Sequence, residues 1–484
     1  MRKLNNNLIK VLAALQGILT LVFVGYLFIM NILPTTYFLI IAVLVVLLFF
    51  LALVLMLFGA KKKSKRGLIG KVFSVIMSAG LAALLFVLIS GNNTLSGITG
   101  PNTQTHTYAL VATSNSELKK IKDIDSHKVL YNEEFADENF NKAKEALLKK
   151  CPNVQFVTTN DIGEMLDMLY NGKVDAILVN DAFFGTFEEL KSNFANDTTT
   201  IWSFDVEQDV DDFSKDTAVT KELFTIYISG IDTTGKVSKV SRSDVNMLVT
   251  VNPETKQILM TSIPRDYYVT LANKGKKDKL THAGLGGVEN SVKTIENFMG
   301  IEINYYARVN FTSIVRIVDA LGGVTVNSPV AFTTLHGKYK IVAGDNYMDG
   351  AKALGFVRER YSLAAGDNDR VNNQQRLLKA MIDKMNSPTI ITNYNQILNA
   401  IDGSFETNMS NDDIISLIKM QLTDMASWEF KSISLEATGQ KMYGGALMPD
   451  SYLYYAIPVE SSVQECANLI KQMMNGEDII NPEQ

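Results

Sequence analysis

Neither aspartate nor glutamate occurs before Glu117, although the 484-residue chain holds 51 acidic residues in all. Residues 1–91 carry nine Lys or Arg. Subtracting those leaves 37 basic residues against 51 acidic ones beyond position 91, a net −14 that the whole-chain value of −5 conceals. An acid-free cationic front on an acidic remainder excludes a wholly soluble cytosolic protein. The remainder also lacks the excess positive charge that a phosphate backbone demands, so no nucleic acid is expected as a partner. Cysteine is scarce too: Cys151 and Cys466 give no disulfide framework, and either two buried thiols or one long-range pair fits them. The four histidines, at 106, 127, 282 and 336, are scattered, and no CxxC or HExxH occurs, which argues against a zinc site.

Long apolar runs are abundant. They extend from about Val11 to Leu33, Tyr37 to Ala60 and Val72 to Gly91, each long enough for the roughly 20 residues of a bilayer-crossing helix. A cleaved signal peptide would be one shorter run, so residues 1–91 are expected to form a three-helix anchor in the lipid bilayer. Arg2, Lys3 and Lys10 precede the first run, and Lys61-Lys62-Lys63-Ser64-Lys65-Arg66 separates the second from the third. By the positive-inside rule both basic segments are cytoplasmic, and everything after about residue 92 is extracellular.

A chain of this length is expected to hold two to four domains. Residues 92–107, rich in Gly, Asn, Thr and Ser, read as a linker. Strands and helices alternate over 108–220: Tyr108–Thr113, Val154–Thr158 and Val174–Val179 as strands, Glu138–Lys150, Ile162–Tyr170 and Phe183–Phe194 as helices. That pattern predicts a small α/β accessory domain. Its segment Leu169–Val179 resembles a turn found in solute-binding-protein lobes. The acidic stretch Asp205–Asp216 reads as a solvated connector rather than a calcium loop, since no glycine stands at the turn position. A second α/β domain is expected over 222–480, ending in a strand near Gly439–Tyr443 and a helix over Val463–Met474.

Within that second domain, arginines and aspartates gather at element ends. Asp232 follows one strand, Arg242 and Asp244 precede the next, and Arg265 and Asp266 follow a third. Arg358 and Arg360 close a helix; Asp367, Asp369 and Arg370 open another, on which Gln374 shares a face with Arg370 at i,i+4 spacing. Ligands of open α/β folds sit beyond strand ends. A guanidinium fork matches two phosphate oxygens, and carboxylates beside a phosphate call for a divalent cation between them. Any one Arg–Asp pair reads first as a surface salt bridge; the set points to a Mg²⁺-assisted diphosphate site. An apolar stripe of Phe311, Ile314, Val315, Val318 and Leu321, with Ile295, Phe298 and Met299, reads as a lipid channel or, more commonly for such a stripe, as core. The loop Lys274–Lys279 either steers an anionic substrate or is a solvated hairpin tip.

The segments SRSDVNMLVTVNPETKQILMTSIPRDYYV, KLTHAGLGGVENSVKTIENFMGIEINYYARVNF, VDALGGVTV, MDGAKALGFVRERY and DNDRVNNQQRLL resemble the LytR–CpsA–Psr family. The three-span front with an accessory domain is similar to its streptococcal CpsA-type members. The resemblance implies a three-layer α/β/α catalytic domain with a mixed central sheet. It implies a phosphotransferase that moves a glycopolymer, here capsular polysaccharide, from a polyprenyl-pyrophosphate carrier to a peptidoglycan hydroxyl, alongside capsule synthesis machinery. A hydrolase of the same donor and a lipid-pyrophosphate-binding regulator are the alternatives. On the family's pattern Asp232 and Asp244 hold the metal. Arg242, Arg265, Arg358, Arg360, Arg370 and Gln374 hold the pyrophosphate, with Lys279 a weaker match. Asp367 acts as base, with Arg242 and Arg265 as further catalytic residues. One departure from the pattern is Gly284-Leu285-Gly286, where relatives often carry an aromatic.

Overall fold

The computed structural model describes residues 2–60, 65–99, 103–231, 233, 236–385 and 393–480. They divide into two compact units.

The first unit is built on helices α1 (Arg2–Met30), α2 (Thr35–Ala60) and α3 (Lys65–Ile98), each long and apolar enough to cross a membrane. Pro34 and the left-handed Asn31 break the chain between α1 and α2. Burial here is inverted relative to a soluble protein: Leu21, Phe28, Ile29, Phe58 and Phe86 are exposed, while Gln16, Thr20, Ser74 and Ser78 are buried. Lipid is the solvent that makes this arrangement favourable. The basic residues Lys61–Lys63 between α2 and α3 lie outside the described residues. Residues 394–399 and 410–427 belong to the same unit. Their helix Asn411–Asp424 meets the ends of the long helices, with Asn411 Nδ2 donating to Ser96 Oγ (3.0 Å) and Lys419 Nζ to Asn31 Oδ1 (2.8 Å).

In the second unit, β1 (Thr103–Thr113), β2 (Lys128–Asn132), β3 (Gln155–Thr159), β4 (Ala176–Asn180) and β5 (Thr198–Asp209) form a sheet of order β3-β2-β4-β1-β5. Strand β2 runs parallel to β3 and β4, and β1 runs antiparallel to β4 and β5. The helices are α4 (Glu138–Lys150), α5 (Ile162–Tyr170), α6 (Phe184–Leu190) and α7 (Phe194–Asp197). Strand periodicity sorts β1 between two cores: Tyr108, Leu110 and Ala112 pack with α4, while Ala109 and Val111 pack with α5 and α6. Asp137 and Asp161 cap α4 and α5 by accepting from Phe140 N and Glu164 N.

Three expectations are corrected here. Most of the 92–107 linker is regular, because α3, once nucleated, propagates to Ile98 and β1 begins at Thr103. The acidic connector starts five residues late: Asp205–Asp209 finish β5, paired with Thr103–Thr107 of β1, and their charges lie on the solvated edge. The helix expected over 183–194 is broken at residues 191–193 into α6 and α7.

The larger sheet contains β6 (Phe224–Ile231), β7 (Ser243–Asn252), β8 (Gln257–Ile263) and β11 (Tyr305–Asn310), flanked by strands Phe405–Thr407 and Glu429–Ser434. A side hairpin of β9 (Tyr268–Thr270) and β10 (Lys277–Lys279) precedes β11. β6 lies parallel to β11 and antiparallel to β7, so the sheet is mixed. Helices α8 (Val288–Met299) and Glu460–Met474 cover one face, burying Leu248 and Leu259 with Ile295 and Cys466. α9 (Phe311–Ala320), α10 (Gly350–Arg358) and α11 (Asp367–Met385) follow β11. α11 covers the other face, its Gln375 donating to Ile433 O (2.7 Å) and Ser262 Oγ (3.0 Å). The architecture is a three-layer α/β/α sandwich. Its expected last strand pairs instead with Leu453–Pro458 in a separate two-stranded sheet, as Ala437–Met442. Cys151 and Cys466 are buried free thiols in different cores. Ile295, Phe298 and Met299 pack into the core under β7 and β8 rather than around a channel.

Candidate functional site

Antiparallel pairing of β7 and β8 aligns Asn246 with Ile263, so the entry to β7 and the exit of β8 share one end of the sheet. That register brings Asp244, near the start of β7, to Arg265, just past β8. Arg265 Nη1 donates to Asp244 Oδ2 at 2.9 Å, and its Nε lies 3.5 Å from Asp266 Oδ2. Thr281 Oγ1 holds the other Asp244 oxygen at 3.2 Å. The segment after β10 is tied back by backbone bonds from Leu280 N to Tyr267 O and from Thr281 N to Arg265 O, both 2.8 Å. The first turn of α11 brings in Arg370 and Asp367, joined by Nη2···Oδ1 at 2.7 Å.

These charges act on one another. Burial works to lower the pKa of Arg265, but Asp244, Asp266, Asp367 and Glu189 outweigh it and raise the value above that of ordinary arginine. Arg370 is held below the usual arginine value, first by burial and also by the fields of Arg265 and Arg360, against which Asp367 and Asp244 pull. Such mutual influence requires proximity, so Arg265, Arg360, Arg370, Asp244, Asp266 and Asp367 form one cluster. Two buried guanidinium donors, Arg265 Nε and Arg370 Nε, have no hydrogen-bond partner among the described residues. An unpaired buried donor is costly, and an oxyanion ligand would satisfy it.

Of the remaining predicted residues, Lys279 and, through Glu189, Arg242 adjoin this centre. Arg242 and Lys279 are joined through Glu189, with Arg242 Nη1 at 3.1 Å from Oε1 and Lys279 Nζ at 2.6 Å from Oε2. Lys279 also lies 3.7 Å from Asp266. Arg358 closes α10 with its guanidinium 4.2 Å from the centroid of the Phe311 ring, and Gln374 reaches Val357 O at 3.5 Å. Arg360 stacks on Tyr361. Asp232 lies outside the described residues.

Glu189, Thr281 and Tyr454 were not singled out by sequence. Tyr454 is revealed by its phenol, which burial and the charges of Asp266 and Asp367 push upward. Glu189 gave no local signal, since a Glu-Glu pair on a short helix reads as solvated surface. Gly284 also gains a role. A Cβ there would stand 2.6 Å from Ser241 O and 2.8 Å from Ser243 N, so its lack of a side chain lets the segment carrying Arg242 into β7 pack close.

For a divalent cation, the described residues offer hard carboxylate oxygens but no group of three ligating side chains. Magnesium commonly takes one or two carboxylates and completes its sphere with substrate phosphate and water. Carboxylate oxygens are the donor type magnesium uses, and of the two expected ligands Asp244 is among the described residues.

Comparison with known proteins points to one family. Residues 189–471 match the LytR_cpsA_psr family model. A polyisoprenyl-teichoic acid–peptidoglycan teichoic acid transferase TagU from Bacillus cereus is 34% identical over 251 residues, covering 52% of this chain and 78% of that protein. The Enterococcus faecalis TagU is 31% identical over 258 residues, covering 53% and 81% respectively. Among solved structures, B. subtilis TagU is 29% identical, covering 52% of this chain and 97% of that one at a TM-score of 0.42. The chain belongs to the LytR_cpsA_psr family.

Proposed function

We propose that the chain transfers a cell-wall glycopolymer, a capsular polysaccharide, from a polyprenyl-pyrophosphate carrier to a peptidoglycan hydroxyl. The observation that carries this reading is the cluster of Arg265, Arg370 and Arg360 among Asp244, Asp266 and Asp367, two of whose buried guanidinium nitrogens have no hydrogen-bond partner among the described residues. The relatives named as teichoic acid transferases support the same class of donor and acceptor.

In the reaction, the acceptor hydroxyl attacks the phosphorus nearer the sugar, that P–O bond forms as the bridging P–O bond breaks, and polyprenyl phosphate leaves. Arg265 and Arg370 bind the non-bridging oxygens and disperse their charge from largely buried positions. Arg242, Arg358, Arg360 and Gln374 orient the two phosphates. Asp367 keeps one oxygen on Arg370 and offers the other to the acceptor hydroxyl, whose proton it takes. Asp244 and Asp232 would hold Mg²⁺, which supplies charge neutralisation between the phosphates when bound.

The test is transfer from a polyprenyl-pyrophosphate-linked oligosaccharide to peptidoglycan by the membrane-inserted chain. Arg265→Ala and Asp244→Ala should lower transfer by about 100-fold or more, and a chelator should abolish it until Mg²⁺ is restored. Wild-type rates from folded Arg265→Ala would end the proposal. Sugar phosphate released equally well without acceptor would assign a hydrolase instead.

A further inference from the structure

The basic residues Arg242 and Lys279 share the carboxylate of Glu189, which comes from α6 under the five-stranded sheet rather than from the larger sheet. The side chains of both cations are nearly out of solvent, 13% and 6% exposed, and that of Glu189 is 21% exposed. This is no rim salt bridge. Two like charges brought together in a dry place repel unless an anion holds both, and removing the Glu189 charge takes a partner from each, Lys279 keeping Asp266 at 3.7 Å.

The same body grips the segment that leads into Arg242. Thr105 of β1 forms an isolated parallel bridge with Lys239, accepting from Val240 N (2.9 Å) and donating to Ser238 O (2.9 Å). Lys239 Nζ reaches Asp181 Oδ2 at 2.5 Å. From the opposite side, Arg308 of β11 donates to Lys239 O at 2.8 Å. Gly185, one turn before Glu189, has no Cβ, and any Cβ there would collide with the Arg242 guanidinium. Residues 238–242 are thus held at successive points, and the held segment ends on Arg242.

We propose that the body of residues 103–209 is a working part of the site, with Glu189 a positioning residue that fixes Arg242 and Lys279 for the diphosphate. The kinetic part of this role rests on the transferase reading given above. One oxygen of Glu189 takes Arg242 Nη1, and in this proposal other guanidinium N–H groups turn to the phosphate. The opposite possibility, that Glu189 mimics phosphate and blocks the site, predicts the reverse kinetic sign.

Two measurements on the full-length membrane-inserted chain decide the matter: amide hydrogen exchange across residues 236–244, and transfer kinetics with a polyprenyl-pyrophosphate-linked oligosaccharide. Glu189→Gln keeps the shape and removes the charge. It should speed exchange over 236–244 about tenfold while β6 and β8 stay protected, and lower kcat by about 10- to 100-fold with KM for the donor within about threefold. Glu189→Asp, still anionic, should recover part of the lost kcat. Unchanged exchange at 236–244 overturns the clamp whatever the kinetics; a rise in transfer overturns it in favour of the blocking role. Should Glu189→Gln loosen the whole chain, Asp181→Asn, which releases Lys239 alone, must give the faster exchange. Arg265→Ala is run alongside. If it transfers like wild type, the transferase reading fails, and the exchange measurement still accepts or rejects the clamp.

Discussion

His282 and Asp278 show how the residues of one short motif divide their tasks. Their side chains form a buried pair, Nδ1 to Oδ1 at 3.0 Å, and Asp278 also accepts from Lys279 N (2.7 Å) and Leu447 N (2.8 Å). Burial pushes the Asp278 carboxyl up, but His282 and the backbone donors together hold it below its usual value. With the folded pKa depressed, the unfolded chain takes up the proton first as pH falls. The contribution is therefore complete above the ordinary carboxylate value of about 3.9 and is lost as pH drops through the lower folded value. Asp278→Asn should cost about 2–4 kcal/mol at neutral pH, a difference that narrows below about pH 4, read from denaturant melts across that range. The cysteines make a simpler case. Because Cys151 and Cys466 are unpaired and buried apart, a reductant should leave the melting temperature unchanged, and a fall would show that they pair. None of these contacts is legible in the sequence, where KLTHA marks a motif without saying which residue serves chemistry and which serves folding.

At the scale of elements, close backbone approach sets the geometry. A Cβ on Gly284 would press on the backbone of Ser241 and Ser243, which leads into the strand bearing Asp244. Gly284→Ala should therefore lower transfer by about tenfold or more through displacement of Arg242 and Asp244, with a modest loss of stability; equal transfer would show that the strand can yield. Gly350, the first residue of α10, has Val315 O where a Cβ would go, so Gly350→Ala should destabilise the α9–α10 pair by about 1–3 kcal/mol, measurable by thermal melting. Periodicity made several elements legible, including α4, α5 and the closing helix, because a helix or strand face repeats within a few residues. It failed where the local pattern was overruled. β2 is only five residues long, residues 205–209 pair in spite of their charge, and residues 191–193 interrupt what reads as one helix.

For the whole molecule, the nine basic residues of the front set an orientation that a reporter can check. A reporter fused at residue 64 should signal a cytoplasmic position and one at residue 200 an extracellular one; a cytoplasmic signal at 200 would remove the wall-facing reaction. Deleting residues 1–97 should release the remainder from the membrane fraction, since the three apolar spans lie in that stretch. The sequence by itself determined the anchor, the alternation of strands and helices, and the placing of arginines and aspartates at element ends. Each of these is a property of neighbouring residues, and hydropathy or spacing reports it directly. Only the tertiary structure decided which ends meet: Arg265 with Asp244 through the β7–β8 register, Arg370 with Asp367 on α11, and Glu189 with cations 53 and 90 residues further along the chain. A contact across such distances depends on how two cores pack against each other. No local pattern encodes it, and for that reason the acidic residue that shares this basic site came to light only in the fold.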